Sequence, residues 1–181
     1  ESPIISPVDG VVSQAGKIKD SQILQAKGHH FSLSQLLSGE SIEKIENGHF
    51  ATIYLAPKDY HRIHMPLDGK LVSMRYIPGN LFSVNHKTVN KVNGVFARNE
   101  RLVCLFDTVF GRVAFVLVGA IFVGSMETSW QGQITPPYGK MVKVFDYKEK
   151  EFELSKGDEL GRFNMGSTVI MILPENAPAL K

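Results

Sequence analysis

Apolar and β-branched residues fall along this chain in short runs, each bounded by glycine, proline or other turn formers. The runs cover residues 49–55, 70–77, 101–108, 112–120, 126–134, 141–147 and 168–173. Short β-rich runs at this spacing predict a mainly β domain, an antiparallel sandwich or barrel. The runs 101–108 and 112–120 read as a hairpin with Gly111 in its turn. Residues 168–173 form a continuous apolar stretch behind Gly166-Ser167, the pattern of a strand buried on both faces.

Helical signal is sparse. Residues 32–37 predict a short helix with Ser32 as its N-cap. Residues 57–64 predict one or two helical turns with Pro57 near the first position. On such a turn His61 and His64, three residues apart, share a face. No repeat, low-complexity tract or linker interrupts the chain, and we expect one domain over residues 1–181.

Composition narrows the class. A hydrophobic content of 43% with 21% charged residues is that of a folded globular chain. The net charge of +2 gives no footprint for nucleic acid, and it is compatible with an anionic membrane surface. The longest apolar stretch, residues 113–124, is shorter than the roughly 20 residues of a spanning helix. No signal peptide is visible. The chain opens on Glu1 without a methionine, so we expect a fragment of a longer protein. The single cysteine, Cys104, allows no internal disulfide and no cysteine metal cluster, and its apolar setting predicts a small buried hydrophobe.

Three segments carry candidate chemistry. Ser6-Pro-Val-Asp-Gly10 reads by itself as a turn. Asp59-Tyr-His-Arg-Ile-His-Met-Pro66 holds the two histidines, whose plain readings are a solvated helix end or satisfied core residues. A metal pair there has no third ligand at a metal-site spacing. Asn164-Met-Gly-Ser-Thr168 holds a serine directly after a glycine. Together they supply the Asp, His and Ser types that activate a hydroxyl: an imidazole takes its proton and a carboxylate orients the imidazole. A serine hydrolase is one use of that set, although Asn-Met-Gly-Ser-Thr lacks the G-x-S-x-G elbow. Another is attack by Ser167 on the carbonyl of Gly166, which has no Cβ to obstruct the approach. The resulting ester can eliminate to dehydroalanine and hydrolyse to a pyruvoyl group, an electron sink for amines. A noncatalytic β-sandwich binding module remains the third reading.

The chain resembles the phosphatidylserine decarboxylases of bacterial and mitochondrial type. The residues that carry the resemblance span nearly the whole sequence. They include Ser6-Pro-Val-Asp-Gly10, Gln25-Ala-Lys-Gly-His-His30, residues 50–55 and Asp59-Tyr-His-Arg-Ile-His-Met-Pro66. They continue through Pro78-Gly-Asn-Leu-Phe-Ser-Val-Asn85, Phe96-Ala-Arg-Asn-Glu-Arg101, Val118-Gly-Ala120, Val123-Gly-Ser125 and Gly161-Arg-Phe163 into Met165-Gly-Ser-Thr168. Met165 replaces the usual Leu, a volume-conserving swap.

The resemblance implies a fold related to the barrel-sandwich hybrids and self-cleavage between Gly166 and Ser167. The β chain would be residues 1–166 and the α chain residues 167–181, with a covalent pyruvoyl cofactor in place of Ser167. It implies a self-cleavage triad of Asp9, His64 and Ser167, with His64 the base and Asp9 its orienter. His61 is then free to contact the substrate phosphate or move a proton. No metal is implied. The reaction implied is decarboxylation of phosphatidylserine to phosphatidylethanolamine in phospholipid biosynthesis. A pyruvoyl decarboxylase of a small free amino acid is the near rival. The implied setting is peripheral, on the cytoplasmic face of the bacterial inner membrane, as a homodimer, with an upstream membrane-associating segment. Arg62, Lys87 and Arg98 are phosphate candidates by type, with a solvated surface charge as the plain reading of each, and Phe82 and Tyr60 are acyl-chain candidates whose plain reading is core packing.

Overall fold

The computed structural model describes residues 3–26, 28–121 and 125–180. Residues 1, 2, 27, 122–124 and 181 lie outside the described residues, and with them Val123-Gly124 of the motifs and the end of the long apolar stretch.

In chain order the strands and helices are β1 (Val11–Lys17), β2 (Gln22–Ala26), β3 (His29–Ser32), α1 (Leu33–Leu36), β4 (His49–Leu55), β5 (Arg62–His64) and β6 (Gly69–Ile77). There follow α2 (His86–Val89), α3 (Val95–Arg98), β7 (Arg101–Thr108), β8 (Gly111–Val118), β9 (Met126–Thr128) and β10 (Gly132–Thr135). The last are β11 (Lys143–Asp146), β12 (Glu153–Leu154), β13 (Glu159–Phe163) and β14 (Ser167–Leu173). The fold is mainly β, as the run spacing predicts, and the strands of the described residues form no closed barrel. An eight-stranded sheet runs β1-β4-β14-β8-β7-β6-β11, with β12 also on β6. A four-stranded sheet runs β10-β9-β13-β5, and β2 pairs with β3.

The central strand forms where the sequence is most continuously apolar. Every residue of β14 is buried, and it is hydrogen-bonded to β4 on one side and β8 on the other. The predicted hairpin is β7 and β8, with Thr108 opposite Gly111 and Gly111 at φ 106 in the left-handed region. Cys104 is fully buried on β7, and burial pushes its thiol well above the ordinary range.

Three local expectations change. The run 126–134 is two strands, because the Gln131 N–H donates to Thr128 Oγ1 at 3.2 Å and closes a turn into Gly132 at φ 72. The segment 57–64 is not helical: it is a turn followed by β5, whose pairing with β13 outweighs the weak local helical signal. Asp9-Gly10 is a bend, not a hairpin turn. It leads into β1 so close to β4 that a Cβ on Gly10 would lie 2.5 Å from the Tyr54 carbonyl oxygen. The helix at 32–37 is confirmed as α1, although Ser32 caps it without a side-chain bond.

The Phe96–Arg101 motif ties the loops together. Asn99 is fully buried; its Oδ1 accepts from Phe82 N at 3.1 Å, and its Nδ2 donates to Phe82 O at 2.8 Å and Gly119 O at 2.9 Å. Buried Arg101 donates to the carbonyls of Leu36, Asn99 and Gln35, each at 2.8 Å, which offsets the burial that lowers its pKa. Glu100 accepts from the Tyr76 hydroxyl at 2.5 Å, and burial raises its carboxyl above the ordinary range. Replacing Asn99 with alanine strands three backbone groups, the buried Gly119 O and the half-buried Phe82 N and O. Asn99→Ala should therefore lose at least about 2 kcal/mol in urea unfolding, since each unsatisfied buried group costs roughly 1–3 kcal/mol.

Candidate active site

Ser167 is the first residue of β14 and is fully buried opposite Leu55 of β4. Its hydroxyl has no hydrogen-bond partner. Immediately before it, a Cβ on Gly166 would lie 3.0 Å from Leu55 O and 3.1 Å from both Pro57 N and Pro57 Cδ. The peptide between them is thus pressed against the chain that leaves β4, and glycine is the residue that permits this approach.

That chain turns through residues 56–59. Asp59 closes the turn: its Oδ2 accepts from Ala56 N at 2.7 Å while its own N–H donates to Ala56 O at 2.9 Å. The turn delivers Tyr60 and His61 and then β5. Side chains alternate along a strand, so within β5 His64 faces away from the fully buried Ile63, while His61, just before the strand, turns back to the Pro57 carbonyl. The two histidines therefore do not share a face, contrary to the helical expectation.

Their hydrogen bonds fix both tautomers, because a carbonyl oxygen can only accept. His61 Nε2–H donates to Pro57 O at 3.2 Å, leaving its Nδ1 lone pair buried and without a partner. His64 Nδ1–H donates to Gly157 O at 2.8 Å, and its Nε2 accepts from the Tyr60 hydroxyl at 3.0 Å. Tyr60 also stacks on His64, with ring centroids 5.8 Å apart and planes 11° apart. It is 47% exposed and packs on the imidazole, not in the core.

Asp9 arrives from another direction. His64 N–H donates to Pro7 O at 2.8 Å, so Asp9 lies two residues from the point where its segment meets β5. Its carboxylate is exposed and has no hydrogen bond to His64 among the described residues. The structure thus gathers the Asp9 segment at His64, and links His61 to Gly166 through Pro57. It does not join Asp9, His64 and Ser167 by hydrogen bonds.

Of the phosphate candidates, Arg62 is ion-paired with Glu159, Arg98 lies 4.9 Å over the Phe82 ring, and Lys87 is exposed on α2. Phe82 packs against the core. Gly157 is the site residue that the sequence leaves unmarked, and Tyr60, read there as core, is a partner of His64. Tyr60 stands beside His61 in the motif, but Gly157 is 93 residues from His64 and no spacing rule connects them. Among the described residues, no group of three or more His, Cys, Asp or Glu side chains is placed to hold a metal ion.

The chain matches the family model described as phosphatidylserine decarboxylase over residues 1–181. It is similar to the phosphatidylserine decarboxylase proenzyme of Nitrosococcus oceani, 58% identical over 174 residues, covering 94% of this chain and 57% of that protein. It is also similar to the proenzyme of Acidovorax ebreus, 54% identical over 98% of this chain and 63% of that protein. For the proenzyme of Vibrio campbellii the figures are 53% identity, 99% and 65%. The chain therefore spans less than two thirds of the length of these relatives.

The tautomers are directly measurable. Long-range ¹⁵N–¹H correlation spectra of the neutral rings should show His61 protonated on Nε2 and His64 on Nδ1.

Proposed function

The chain belongs to the phosphatidylserine decarboxylase family, and we propose that it decarboxylates phosphatidylserine to phosphatidylethanolamine and carbon dioxide, using a pyruvoyl group made from its own Ser167. The observation that carries this reading is the buried, unpartnered Ser167 hydroxyl directly behind a glycine whose Cα is pressed against Leu55 and Pro57. A structural serine at such a site would normally have a partner, since an unsatisfied buried polar group costs roughly 1–3 kcal/mol.

In the maturation step, the Ser167 oxygen bonds to the Gly166 carbonyl carbon as the Gly166–Ser167 amide breaks and its nitrogen takes a proton. Loss of the Ser167 α-proton then expels the Gly166 carboxylate and leaves dehydroalanine. Water hydrolyses its imine form, and ammonia departs. His64 is the base toward the hydroxyl and Asp9 orients it, which requires Tyr60 to release Nε2; an exposed Tyr60 is free to swing away. His61 then serves the substrate, moving a proton or contacting the phosphate. One observation favours a second reading: the unpartnered, buried Nδ1 of His61 makes His61 the available base as the chain stands.

Once formed, the pyruvoyl carbonyl supplies an electron sink for an amine substrate. The residues around it exclude water, because β14 is buried along its length, and a desolvated carboxylate loses carbon dioxide more readily. The pairing of β14 with β4 and β8 holds the two product chains together after the cut. Family membership supports a peripheral site of action on the cytoplasmic face of the bacterial inner membrane and a homodimeric enzyme. Among the described residues no helix is long and apolar enough to cross a membrane.

The test is release of labelled carbon dioxide from carboxyl-labelled phosphatidylserine in mixed micelles, with free serine as the control substrate. The wild type should act on the lipid and not on serine. Ser167→Ala should stay one chain and release nothing. A fluorophosphonate adduct on Ser167 of an uncut chain would instead indicate a hydrolase.

The two histidines separate in the same assays. His64→Ala should slow self-cleavage by roughly 10²–10⁴-fold, the usual worth of a general base. His61→Ala should cleave and lose decarboxylation. The reverse pattern would assign the cleavage base to His61.

A further inference from the structure

The small sheet continues three central strands of the large one. In the large sheet β14 lies between β4 and β8, and in the small sheet β13 lies between β5 and β9. Along the chain β5 follows β4, β9 follows β8 and β13 precedes β14. The three links between these pairs therefore pass from sheet to sheet in the same order. The middle link is residues 164–166 and ends at Gly166. On one side it has the β4–β5 link, which carries Pro57 and His61, and on the other Ser125, the last residue before β9. The registers set the levels. Thr168 pairs with Tyr54 of β4 and Val118 of β8. Phe163 pairs with Met126, and its N–H donates to His61 O at 3.1 Å. His61 and Ser125 thus flank, from opposite sides, the segment that leads into the Gly166–Ser167 bond.

Ser125 is 3% exposed and its hydroxyl has no hydrogen-bond partner. The Ser167 hydroxyl and His61 Nδ1 are in the same condition. Each such group costs roughly 1–3 kcal/mol, so three on adjacent segments call for a use. The three are chemically complementary: an oxygen that can attack, a nitrogen lone pair that can take a proton, and a hydroxyl hydrogen that can be donated. The Thr168 hydroxyl, also unpartnered, belongs to the face of β14 opposite the Ser167 side chain.

Attack on Gly166 has a need that the aspartate and the histidines do not meet. As the Ser167 oxygen bonds to the Gly166 carbonyl carbon, the carbonyl electron pair moves onto the Gly166 oxygen. It returns when the carbon–nitrogen bond breaks and the nitrogen takes the proton. A donor held at that oxygen stabilises the charge while it lasts. Continuing the β9–β13 register by one residue places Ser125 level with Asn164, two residues from Gly166. Diagonal neighbours on adjacent strands lie about 7–8 Å apart, a gap that a hydroxyl on one side and a backbone carbonyl on the other can close.

We propose that the Ser125 hydroxyl is the hydrogen-bond donor to the Gly166 carbonyl oxygen during self-cleavage. This rests on the self-cleavage reading and adds to it the group that carries the developing negative charge.

The experiment follows the splitting of freshly synthesised full-length chain by denaturing electrophoresis over a range of pH. Ser125→Ala should cleave roughly 10²–10³-fold more slowly, the usual worth of one oxyanion donor. The factor should be the same at every pH, because the base that takes the Ser167 proton is untouched. Ser125→Thr, which keeps the hydroxyl, should recover most of the rate. Stability is read in the uncut Ser167→Ala background. There Ser125→Ala should leave the urea midpoint unchanged or raised, since it removes a buried hydroxyl that has no partner. Cleavage of Ser125→Ala at the parental rate overturns the assignment. So does slowing that accompanies a lower urea midpoint and is not relieved by Ser125→Thr, which would make Ser125 a structural residue. A parent chain that never splits overturns the self-cleavage reading itself, and the role of Ser125 with it.

Discussion

Antiparallel pairing of β14 with β4 and with β8 determines where everything chemical in this chain sits. Ser167 opposite Leu55 is the end of the β4 ladder, so the residue at the head of the strand is buried by the sheet itself. One residue upstream, Gly166 lies where the chain leaving β4 at Pro57 closes over it. A buried hydroxyl with no partner thus follows directly on a glycine that the neighbouring chain crowds, at a place fixed by the sheet. Slipping the register of β14 by one residue would bring Thr168 to that place and send the Ser167 side chain to the other face.

The catalytic candidates are then delivered by the segment that follows β4. The Asp59 turn redirects the chain, His61 hydrogen-bonds the carbonyl of the same Pro57 that crowds Gly166, and β5 turns His64 outward to Tyr60 and Gly157. Two imidazoles three residues apart consequently occupy different environments with different nitrogens available. That difference is the physical basis for giving them different roles. It arises because His61 still belongs to the turn and bonds Pro57, whereas His64 lies within β5.

The strong strands were legible because burial on both faces leaves long uninterrupted apolar runs: residues 49–55 and 101–108 coincide with β4 and β7, and 168–173 with all but the first residue of β14. Strands whose residues are exposed or few were not. β1 is exposed along nearly all its length, and its ends are set by pairing with β4. β5 has three residues, and β13 supplies the hydrogen bonds that make them a strand. In the site, the residue types in Asp59–Pro66 and around Ser167 stood out in the sequence. The Gly157 carbonyl on His64 and the place of Ser125 beside the Gly166 segment did not, because each depends on residues brought together from far apart. Asn99, Glu100 and Arg101 carry the resemblance to the family as strongly as the histidines do, yet their side chains hold loops and helix ends in the core and do not reach Ser167.

The claim on which all of this turns is that Ser167 is a precursor and not a working serine. Intact mass spectrometry of the purified, denatured protein tests it most directly. The account predicts two chains, the second beginning at position 167 and lighter by one ammonia than the corresponding serine-headed fragment, because the serine oxygen leaves with the Gly166 carboxylate and water then replaces the amino group by a keto oxygen. A single uncut chain that nevertheless decarboxylates phosphatidylserine, or a second chain that begins with an ordinary serine, would contradict it.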